Sequence, residues 1–477
     1  MKNKVISLML VFLMLVSAAL TACSDNTQET ESESVAETPA DSETVFVEET
    51  EDPYIYDSLE EQDLDGYNFR IMYAEQYYKQ LIAEEYTGVP LDDAMFESKT
   101  AVEDRFNISI SIVEGGTNTY NPTIYKNAIT SDDDSFDINI GHDVQLSTVA
   151  TNGYCYNLFD LEQFDFEQPW WPEKAVDSLT LDGRLYTASN YISYGGLAGT
   201  RAVFVNKDLI DKYNLEIPYD LVREGKWTFD AMYSYLEGYT EDLNGDGQIL
   251  EADDQLALVG NKYSWFCMQE SADVPIYRRD SEGMIYLDID AEKISEFIEK
   301  SNKMTDPEFY SRSDVVADTF NKGRSMFAIY TIGDGYSTFR NGDTRYGFLP
   351  SPKLNELQED YINACTDKLW VVPIHHEEEQ LDIIGTVCEA MSCSYFNRVI
   401  PVYFEETMKA RVADAPDDAE MLEIIRDTRT VLFGYMYQMP LHDLHTGSRN
   451  ENVGSLLAKI GNKAEKALQI FKNNLPE

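Results

Sequence analysis

The sequence predicts an α/β fold, and the spacing of its apolar residues supports this prediction in three places. Residues 68–73 and 108–112 alternate apolar and polar side chains, which is typical of half-buried strands. Apolar residues recur at helical spacing through residues 91–106, and a third apolar run covers residues 136–140. This strand–helix–strand order is typical of a parallel sheet covered by helices, which binds ligands at the carboxyl ends of its strands.

The middle and the end of the chain extend the same α/β pattern. Further candidate strands occupy residues 202–205, 326–330 and 369–374. Thr228 is a good N-cap for a helix over residues 229–236, because its hydroxyl can accept a hydrogen bond from a free backbone N–H. After the last of these strands the apolar spacing becomes mainly helical.

The N-terminal segment has the pattern of an export signal. Two lysines in the first four residues precede an apolar stretch over residues 5–19, and Leu-Thr-Ala-Cys follows it. This order resembles a bacterial lipoprotein signal, which makes residues 1–22 the signal peptide and Cys23 the lipidated mature N-terminus. The alternative is a transmembrane anchor, since about 18 apolar residues nearly span a bilayer. The position of the cysteine motif favours the lipoprotein.

The chain is strongly acidic, with 86 Asp and Glu against 37 Lys and Arg and a formal net charge of −49. Residues 24–65 contain 16 of the acidic residues and no basic residue. We expect residues 23–65 to form a disordered tether, because they cannot bury enough apolar surface to offset chain entropy. The charge argues against binding of nucleic acid and against membrane attachment other than through the lipid, because both need clustered Lys and Arg.

The five cysteines beyond Cys23 do not form a recognisable framework. Their number is odd and no CxxC spacing occurs, which argues against a disulfide-rich domain and against a zinc site. We expect most of them to be buried as small apolar residues. They are Cys155, Cys267, Cys365, Cys388 and Cys393.

Eight short motifs follow the tether along most of the chain. They occupy residues 153–158, 169–171, 182–186, 203–209, 225–230, 320–326, 347–353 and 401–404. In this order they resemble the family 1 extracellular solute-binding proteins of ABC importers. The resemblance implies a two-lobed periplasmic-binding-protein-like fold with the ligand cleft between the lobes. It assigns residues 66–196 plus 326–374 to lobe 1 and residues 197–325 plus 375–477 to lobe 2, with a first crossing near residues 190–196.

The resemblance also implies a function. Most members of the family bind sugars or oligosaccharides outside the cell and deliver them to the permease of an ABC transporter, without catalysing a reaction. This chain would then be a receptor at the outer face of the bacterial cytoplasmic membrane, held there by its lipid anchor. Its net charge favours a neutral oligosaccharide over an anionic solute.

A sugar site needs flat aromatic rings and fixed hydrogen-bonding groups. Glu75 and Asp143 follow predicted strands and are candidate acceptors for sugar hydroxyls. Five aromatic residues near the implied cleft are candidate stacking surfaces: Tyr191, Tyr194, Trp265, Tyr330 and Trp370. The alternative for each aromatic ring is packing in the core, and the alternative for each acid is a solvated loop. For Trp170 and Trp171 we favour packing.

One acidic loop has the spacing of a calcium site. Residues 242–253 place oxygen-bearing groups at loop positions one, three, five and twelve and a glycine at position six. The predicted Ca²⁺ ligands are Asp242, Asn244, Asp246, the carbonyl of Gln248 and Asp253. Aspartate at position twelve resembles the dockerin version of this loop. The alternative is a plain acidic turn without a metal.

Two other functions stay open from the sequence. The same fold could bind a peptide or another small solute, which a screen of oligosaccharides against peptides would separate. An extracellular glycan hydrolase would need two carboxylates flanking the scissile bond, and a chain with 86 acids neither excludes nor identifies such a pair. No GxSxG or HExxH signature supports any other hydrolase.

Overall fold

The computed structural model describes most of the chain from Asp52 onward. The described residues are 52–73, 80–115, 123–131, 134–261, 263–280, 283–306, 310–312, 316–339, 342–366, 368–409, 416–440, 444 and 452–475. Cys23 and Glu75, two of the predicted functional residues, lie outside these ranges. No helix within them is long and apolar enough to cross a membrane.

Thirteen strands within the described ranges form four sheets. The strands are β1 (Tyr67–Tyr73), β2 (Ile108–Glu114), β3 (Ile138–His142), β4 (Arg201–Asn206), β5 (Leu256–Gly260), β6 (Tyr277–Arg279), β7 (Ile285–Leu287), β8 (Tyr310–Arg312), β9 (Ser325–Thr331), β10 (Tyr346–Leu349), β11 (Asn363–Cys365), β12 (Lys368–Val371) and β13 (Arg429–Val431). The first large sheet has the order β12-β3-β1-β2, and the second has the order β10-β4-β9-β5-β8. Two small sheets pair β11 with β13 and β6 with β7.

Sixteen α-helices accompany these sheets in the described part of the chain. They are α1 (Pro90–Phe106), α2 (Thr123–Thr130), α3 (Asp143–Thr151), α4 (Glu173–Leu179), α5 (Gly195–Ala198), α6 (Lys207–Lys212), α7 (Tyr219–Arg223), α8 (Phe229–Ser234), α9 (Ser264–Ser271), α10 (Ala291–Met304), α11 (Val316–Asn321), α12 (Ile332–Ser337), α13 (Glu378–Lys409), α14 (Pro416–Asp427), α15 (Phe433–Met436) and α16 (Val453–Asn473). The Thr228 hydroxyl caps α8 as predicted, accepting from the N–H of Ala231.

The first sheet confirms the predicted parallel arrangement. β1 lies between β2 and β3 and runs parallel to both. Its Phe69 and Ile71 side chains are fully buried, which explains the alternation in the sequence. β12 adds to the sheet in the antiparallel direction and pairs Lys368 with His142. The carboxyl ends of β1 and β3 therefore share one edge, where α3 begins at Asp143.

The second sheet brings three strand ends to one side. β4 runs antiparallel to β9 and pairs Arg201 with Thr331, while β5 runs parallel to β9 and ends at Gly260. Thr200, just before β4, forms a bridge with Cys365, which lies just before β12 of the first sheet. The ends at Arg201, Thr331 and Gly260 therefore lie on the side of the second sheet that approaches the first.

Strand pairing and helix packing differ from the predicted division into lobes. The sequence assigns residues 326–374 to lobe 1, but β9 and β10 flank β4 in the second sheet, and only β12 of this range joins the first. It assigns residues 375–477 to lobe 2, but α13 packs against α1, where Ser394 Oγ lies 3.0 Å from Ser98 Oγ. The resemblance assigns the lobes from the order of motifs along the chain, and this order does not record which strands pair or which helices pack together.

The folded part begins before the predicted end of the tether at residue 65. Arg105 Nη1 of α1 lies 2.8 Å from Asp57 Oδ2, and both side chains are buried. The N–H of Leu64 donates to the carbonyl of Phe106 at 2.9 Å. An ion pair with Arg398 holds Asp52 as well. The prediction of disorder is therefore wrong for residues 52–65, where Arg105 and Arg398 pair with three of the acidic side chains and the backbone bonds to the end of α1.

The core uses cysteine and tryptophan as the sequence predicts. All five described cysteines are free and buried, which confirms their expected role as small apolar residues. Trp170 and Trp171 are also buried, and their indole N–H groups donate to one carboxylate, that of Glu389. Both tryptophans therefore pack within the protein, as favoured above.

Candidate ligand-binding site

Asp143 stands at the edge of the first sheet where β3 ends. It is the first residue of α3, and its side chain is fully buried. Its Oδ1 accepts a hydrogen bond from the N–H of Val144 at 2.6 Å and lies 2.6 Å from His142 Nδ1. A buried carboxylate needs such partners, and these also fix its orientation. The structure therefore places this predicted acid at the strand end, as a pre-oriented group.

The facing edge of the second sheet carries Arg201 and the start of α9. After β5 the chain turns so tightly that a Cβ atom on Gly260 would lie 2.9 Å from Ser264 Oγ. That hydroxyl donates to the carbonyl of Ile329 at 2.9 Å, which ties the first residue of α9 to β9. Because residue 260 is a glycine, α9 can begin directly at this edge, beside the start of β4.

A pair of stacked rings lies beside these strand ends. Phe266 of α9 and Tyr435 of α15 stack with ring centroids 4.9 Å apart and planes at 15°. Tyr263 approaches the Tyr435 ring edge-on at 6.4 Å. Tyr435 is half-buried, and α15 packs against α3, the helix that begins at Asp143. Neither Phe266 nor Tyr435 follows a predicted strand or an implied crossing, so the sequence alone does not identify these rings.

Charges from both sheets act on the Cys267 thiol of α9. The thiol is buried, and this burial raises its pKa to about 12. The Arg201 guanidinium opposes the rise in pKa by contact and charge, while the negative charges of Glu270 and Asp143 add to it. Charge effects of this kind act over short distances, so Arg201 and Asp143 both lie near Cys267.

We call Asp143, Arg201, Phe266, Cys267 and Tyr435 the interlobe site. The site combines one cation, one acid and stacked aromatic rings, which suits a solute with many hydroxyls and apolar C–H faces. A thiol with a pKa of about 12 stays protonated at neutral pH and is therefore a poor nucleophile. The chemistry of these groups favours binding over covalent catalysis.

Three of the predicted stacking residues pack in the core instead. Trp265 and Trp370 are each 1% exposed. The indole N–H of Trp265 donates to the Tyr310 hydroxyl at 2.8 Å, and that of Trp370 donates to Asn190 Oδ1 at 2.9 Å. Tyr330 is buried and meets Phe339 edge-on at 5.3 Å. These rings therefore present no open face to a solute. The sequence predicts them as stacking residues because it cannot distinguish a ring buried in the core from a ring that lines a cleft.

The two tyrosines of the implied first crossing are also enclosed by other rings. Tyr194 stacks on Tyr403 with centroids 4.6 Å apart and planes at 18°. Tyr191 packs against Phe396 at 5.1 Å and lies 5.7 Å from the Arg429 guanidinium carbon. The structure therefore does not gather the predicted residues into one site. Of the set, only Asp143 belongs to the interlobe site.

Tyr191 lines a cavity of about 590 Å³, which is large enough for a small ligand. Its wall combines aromatic and charged side chains: Phe166, Glu167, Gln168, Pro169, Trp171, Pro172, Glu173, Lys174, Tyr191, Phe396, Arg426, Asp427 and Arg429. Several of these groups already have protein partners, since Arg426 binds Asp427 and Arg429 donates to Ser189. The cavity shares no residue with the interlobe site, which remains our candidate.

The acidic loop over residues 242–253 is tightly turned around its first three predicted ligands. The two oxygens of Asp242 accept from the N–H groups of Gly245 at 2.7 Å and Gly247 at 2.8 Å. Both glycines have positive φ, a conformation that other residues rarely adopt. Asn244 Oδ1 accepts from the N–H of Asp246 at 2.8 Å. Each of these oxygens keeps a further lone pair, so the loop fits a Ca²⁺ ion in donor chemistry.

The end of the loop differs from the predicted spacing. Asp253 is exposed, whereas the next residue, Asp254, is fully buried and accepts from the N–H groups of Leu243 at 2.9 Å and Leu250 at 2.8 Å. Asp254 therefore closes the loop through hydrogen bonds. Within the described ranges, no group of three or more His, Cys, Asp and Glu side chains is arranged to hold a metal ion. Calcium binding stays a prediction.

The sequence matches one family model, described as bacterial extracellular solute-binding protein, over residues 94–385. This match covers more than half of the chain and includes Asp143, Arg201 and the whole of α9. A search of curated protein sequences gave no match to this chain.

Solved structures of this type share the fold at low sequence identity. UspC of Mycobacterium tuberculosis is 14% identical with a TM-score of 0.55, over 84% of this chain and 100% of its own. A cyclo/maltodextrin-binding protein complexed with maltotetraose is 12% identical with a TM-score of 0.53, over 85% and 96%. The GacH receptor of Streptomyces glaucescens, solved unliganded and with acarbose, is 13% identical with a TM-score of 0.51, over 85% and 99%.

These similarities and the two large sheets agree on a two-lobed, periplasmic-binding-protein-like α/β fold. The fold and the family match together confirm the resemblance identified from the motifs. This chain belongs to the bacterial extracellular solute-binding protein family.

Proposed function

We propose that this chain captures a sugar or oligosaccharide at the interlobe site and delivers it to the permease of an ABC transporter. The observation that carries the proposal is the position of Asp143, Arg201 and the stacked pair of Phe266 and Tyr435 at the facing edges of the two sheets. Hydroxyl donors of a sugar suit the carboxylate, and its C–H faces suit the rings.

Two structural relatives support the ligand class. One is described as a cyclo/maltodextrin-binding protein with maltotetraose, and another was solved with acarbose. The net charge of −49 supports a neutral oligosaccharide, since it would repel an anionic solute at long range.

The proposal includes no catalytic turnover. The buried Cys267 is protonated at neutral pH, and the buried Asp143 is already held by His142 and by a backbone N–H. A glycan hydrolase would release shorter products from oligosaccharides. Incubation of the protein with oligosaccharides, followed by chromatography, should return them uncleaved.

Calorimetric titration tests the ligand class. We expect one of a panel of neutral oligosaccharides, differing in linkage and length, to bind with a Kd in the micromolar range or tighter, and a matched panel of short peptides not to bind. Small-angle scattering with the bound sugar should show a smaller radius of gyration, since hinge closure around ligands is common in two-lobed binding proteins. If the protein binds a peptide and none of the oligosaccharides, the proposal is wrong and the peptide alternative is correct.

The proposed location is the outer face of the cytoplasmic membrane, with the lipid on Cys23 as the anchor. The motif ahead of this cysteine supports it. Cys23→Ser should move the protein from the membrane fraction to the soluble fraction and remove labelling by a fatty-acid probe. A variant that stays in the membrane would support the transmembrane alternative.

We also propose that the loop over residues 242–253 binds Ca²⁺ for a structural purpose. Asp242, Asn244, Asp246 and the carbonyl of Gln248 would hold the ion, and Asp253 is the remaining predicted ligand. The turns at Gly245 and Gly247 support the proposal. A bound Ca²⁺ ion would neutralise acidic side chains that this loop brings close together.

A further inference from the structure

One charged side chain of the interlobe site has donor groups that the protein leaves unused. Arg201 is only 4% exposed. Its Nε and Nη1 atoms are buried, and neither has a hydrogen-bond partner in the part of the chain that the structure describes. Buried polar groups are nearly always paired, and a buried charge without acceptors costs free energy. An acceptor from outside the chain would remove this cost.

Ser351, two residues after β10, supplies a second unused polar group. Leu349 of β10 pairs with Val203 of β4 in antiparallel register. The ladder ends at this pair, and the N–H of Ser351, two residues further on, donates to Asn363 Oδ1 of β11 at 2.8 Å. The Ser351 hydroxyl is buried and, among the described residues, has no hydrogen-bond partner. Ser351 is therefore a second buried polar side chain with an unused atom, just after the stretch of β10 that pairs with β4.

Arg201 lies where the two large sheets approach each other. The residue begins β4 directly after the Thr200 bridge to Cys365, and β12 of the first sheet begins three residues after that cysteine. Lys368 at the start of β12 pairs with His142, the neighbour of Asp143. Arg201 therefore stands where the second sheet approaches the acidic end of the first.

We propose that Arg201 is a ligand-contacting residue that donates hydrogen bonds to oxygen atoms of a neutral, hydroxyl-rich solute. This inference rests on the proposed function and adds to it the group that selects for acceptor oxygens. A guanidinium presents its donors in a fixed plane, so it distinguishes solutes by the spacing of their oxygens.

The surrounding charges favour neutral oxygens over a carboxylate. Asp143 and Glu270 are both close enough to Cys267 to act on its thiol, as Arg201 does. A carboxylate on the solute would meet these two acids, whereas hydroxyl and ring oxygens add no charge. The hydroxyls of the same solute can also donate to Asp143, so one sugar ring can use the cation and the acid together.

The first test is the stability of the ligand-free protein. Arg201→Met removes a buried guanidinium whose Nε and Nη1 donors have no acceptor, and we expect the melting temperature to rise by about 1–3 °C. Arg345→Met is the matched control, because Arg345 lies beside β10 of the same sheet but is half-exposed and paired with Asp208 and Asp211. A melting temperature of Arg201→Met below that of the wild type would show a structural role for Arg201 and overturn the proposal.

The second test is affinity for whichever neutral oligosaccharide binds the wild type. Arg201→Met should raise the Kd about 10- to 100-fold, because a hydrogen bond from a charged donor is lost. Arg201→Lys, which keeps the charge but not the planar donors, should give an intermediate loss, and Arg345→Met should give none. An unchanged Kd in Arg201→Met would overturn the proposal.

Two further outcomes separate this inference from the function on which it rests. If the wild type binds an oligouronide more tightly than its neutral counterpart, the neutral class is wrong and Arg201 serves a carboxylate. If the wild type binds no sugar at all, the proposed function fails, and the melting temperatures of the two methionine variants still decide whether the free Nε and Nη1 donors of Arg201 cost stability.

Discussion

The indole Nε1 of Trp171 donates a hydrogen bond to Glu389 Oε2 at 2.8 Å. The neighbouring Trp170 donates to Glu389 Oε1 at the same distance, so one carboxylate on α13 satisfies two buried indoles. Glu389 is 1% exposed. Burial raises its pKa to about 7, although the hydrogen bonds from Trp171 and Trp170 lower it. The carboxyl group therefore ties α13 to the wall of the cavity that Trp171 lines.

Glu389→Gln should lower the free energy of unfolding at pH 6 by about 1–3 kcal/mol, because an amide offers one oxygen acceptor to two indole donors. Urea unfolding followed by circular dichroism measures the loss. Trp171→Phe removes one of the two indole donors. In a Trp171→Phe background, Glu389→Gln should therefore lower the free energy of unfolding by less than in the wild type. Equal costs in the two backgrounds would show that the indole of Trp171 and the carboxyl group are not coupled.

The stability contribution of Glu389 should depend on pH. Its pKa in the folded protein is about 7, above the value of 4.5 for an ordinary glutamate, so the folded state holds the proton more tightly than the unfolded state. The contribution is therefore complete below about pH 4.5 and is lost as the pH rises through 7. The stability advantage of the wild type over Glu389→Gln should narrow between pH 5 and pH 8. An advantage that widens over this range would contradict the raised pKa.

Calcium should stabilise the protein through the loop over residues 242–253. We expect EDTA to lower the melting temperature and excess Ca²⁺ to restore it. At a free Ca²⁺ concentration of 100 times the Kd, the free energy of unfolding should rise by about 2.7 kcal/mol. Asp242→Asn should abolish the response, and Asp220→Asn, at an exposed aspartate outside the loop, should keep it. Identical melting curves with EDTA and with Ca²⁺, together with no metal by elemental analysis, would show that the loop does not bind Ca²⁺.

Much of the fold could be predicted because burial leaves a periodic trace in the sequence. Phe69 and Ile71 alternate with polar residues in β1, and this alternation identifies the strand without reference to its partners. Strand pairing leaves no such trace. β9 is a run of buried residues that would suit either sheet, and its pairing with β4 places it in the second. Neither the periodicity nor the order of the motifs therefore determines which sheet residues 325–331 join.

The candidate site was predictable only in part, for a related reason. Asp143 could be identified because it follows a strand at a sheet edge, where ligands commonly bind. Trp265 and Trp370 have the chemistry of stacking residues, but their indoles are satisfied inside the protein. Arg201 is one of 37 basic residues, and its lack of partners exists only in three dimensions.

The stacked pair of Phe266 and Tyr435 gives the last prediction. Tyr435 is half-buried and lies parallel to Phe266 at 4.9 Å, so its removal should take away a surface on which a sugar ring can rest. We expect Tyr435→Ala to raise the Kd for the bound oligosaccharide about tenfold, measured by calorimetry. Tyr86→Ala is the matched control, because this exposed ring packs edge-on against Phe96 at 4.7 Å, beside α1 rather than α9 or α15. An equal effect of the two substitutions would mean that the pair of Phe266 and Tyr435 only packs, and the interlobe site would then lack its aromatic wall.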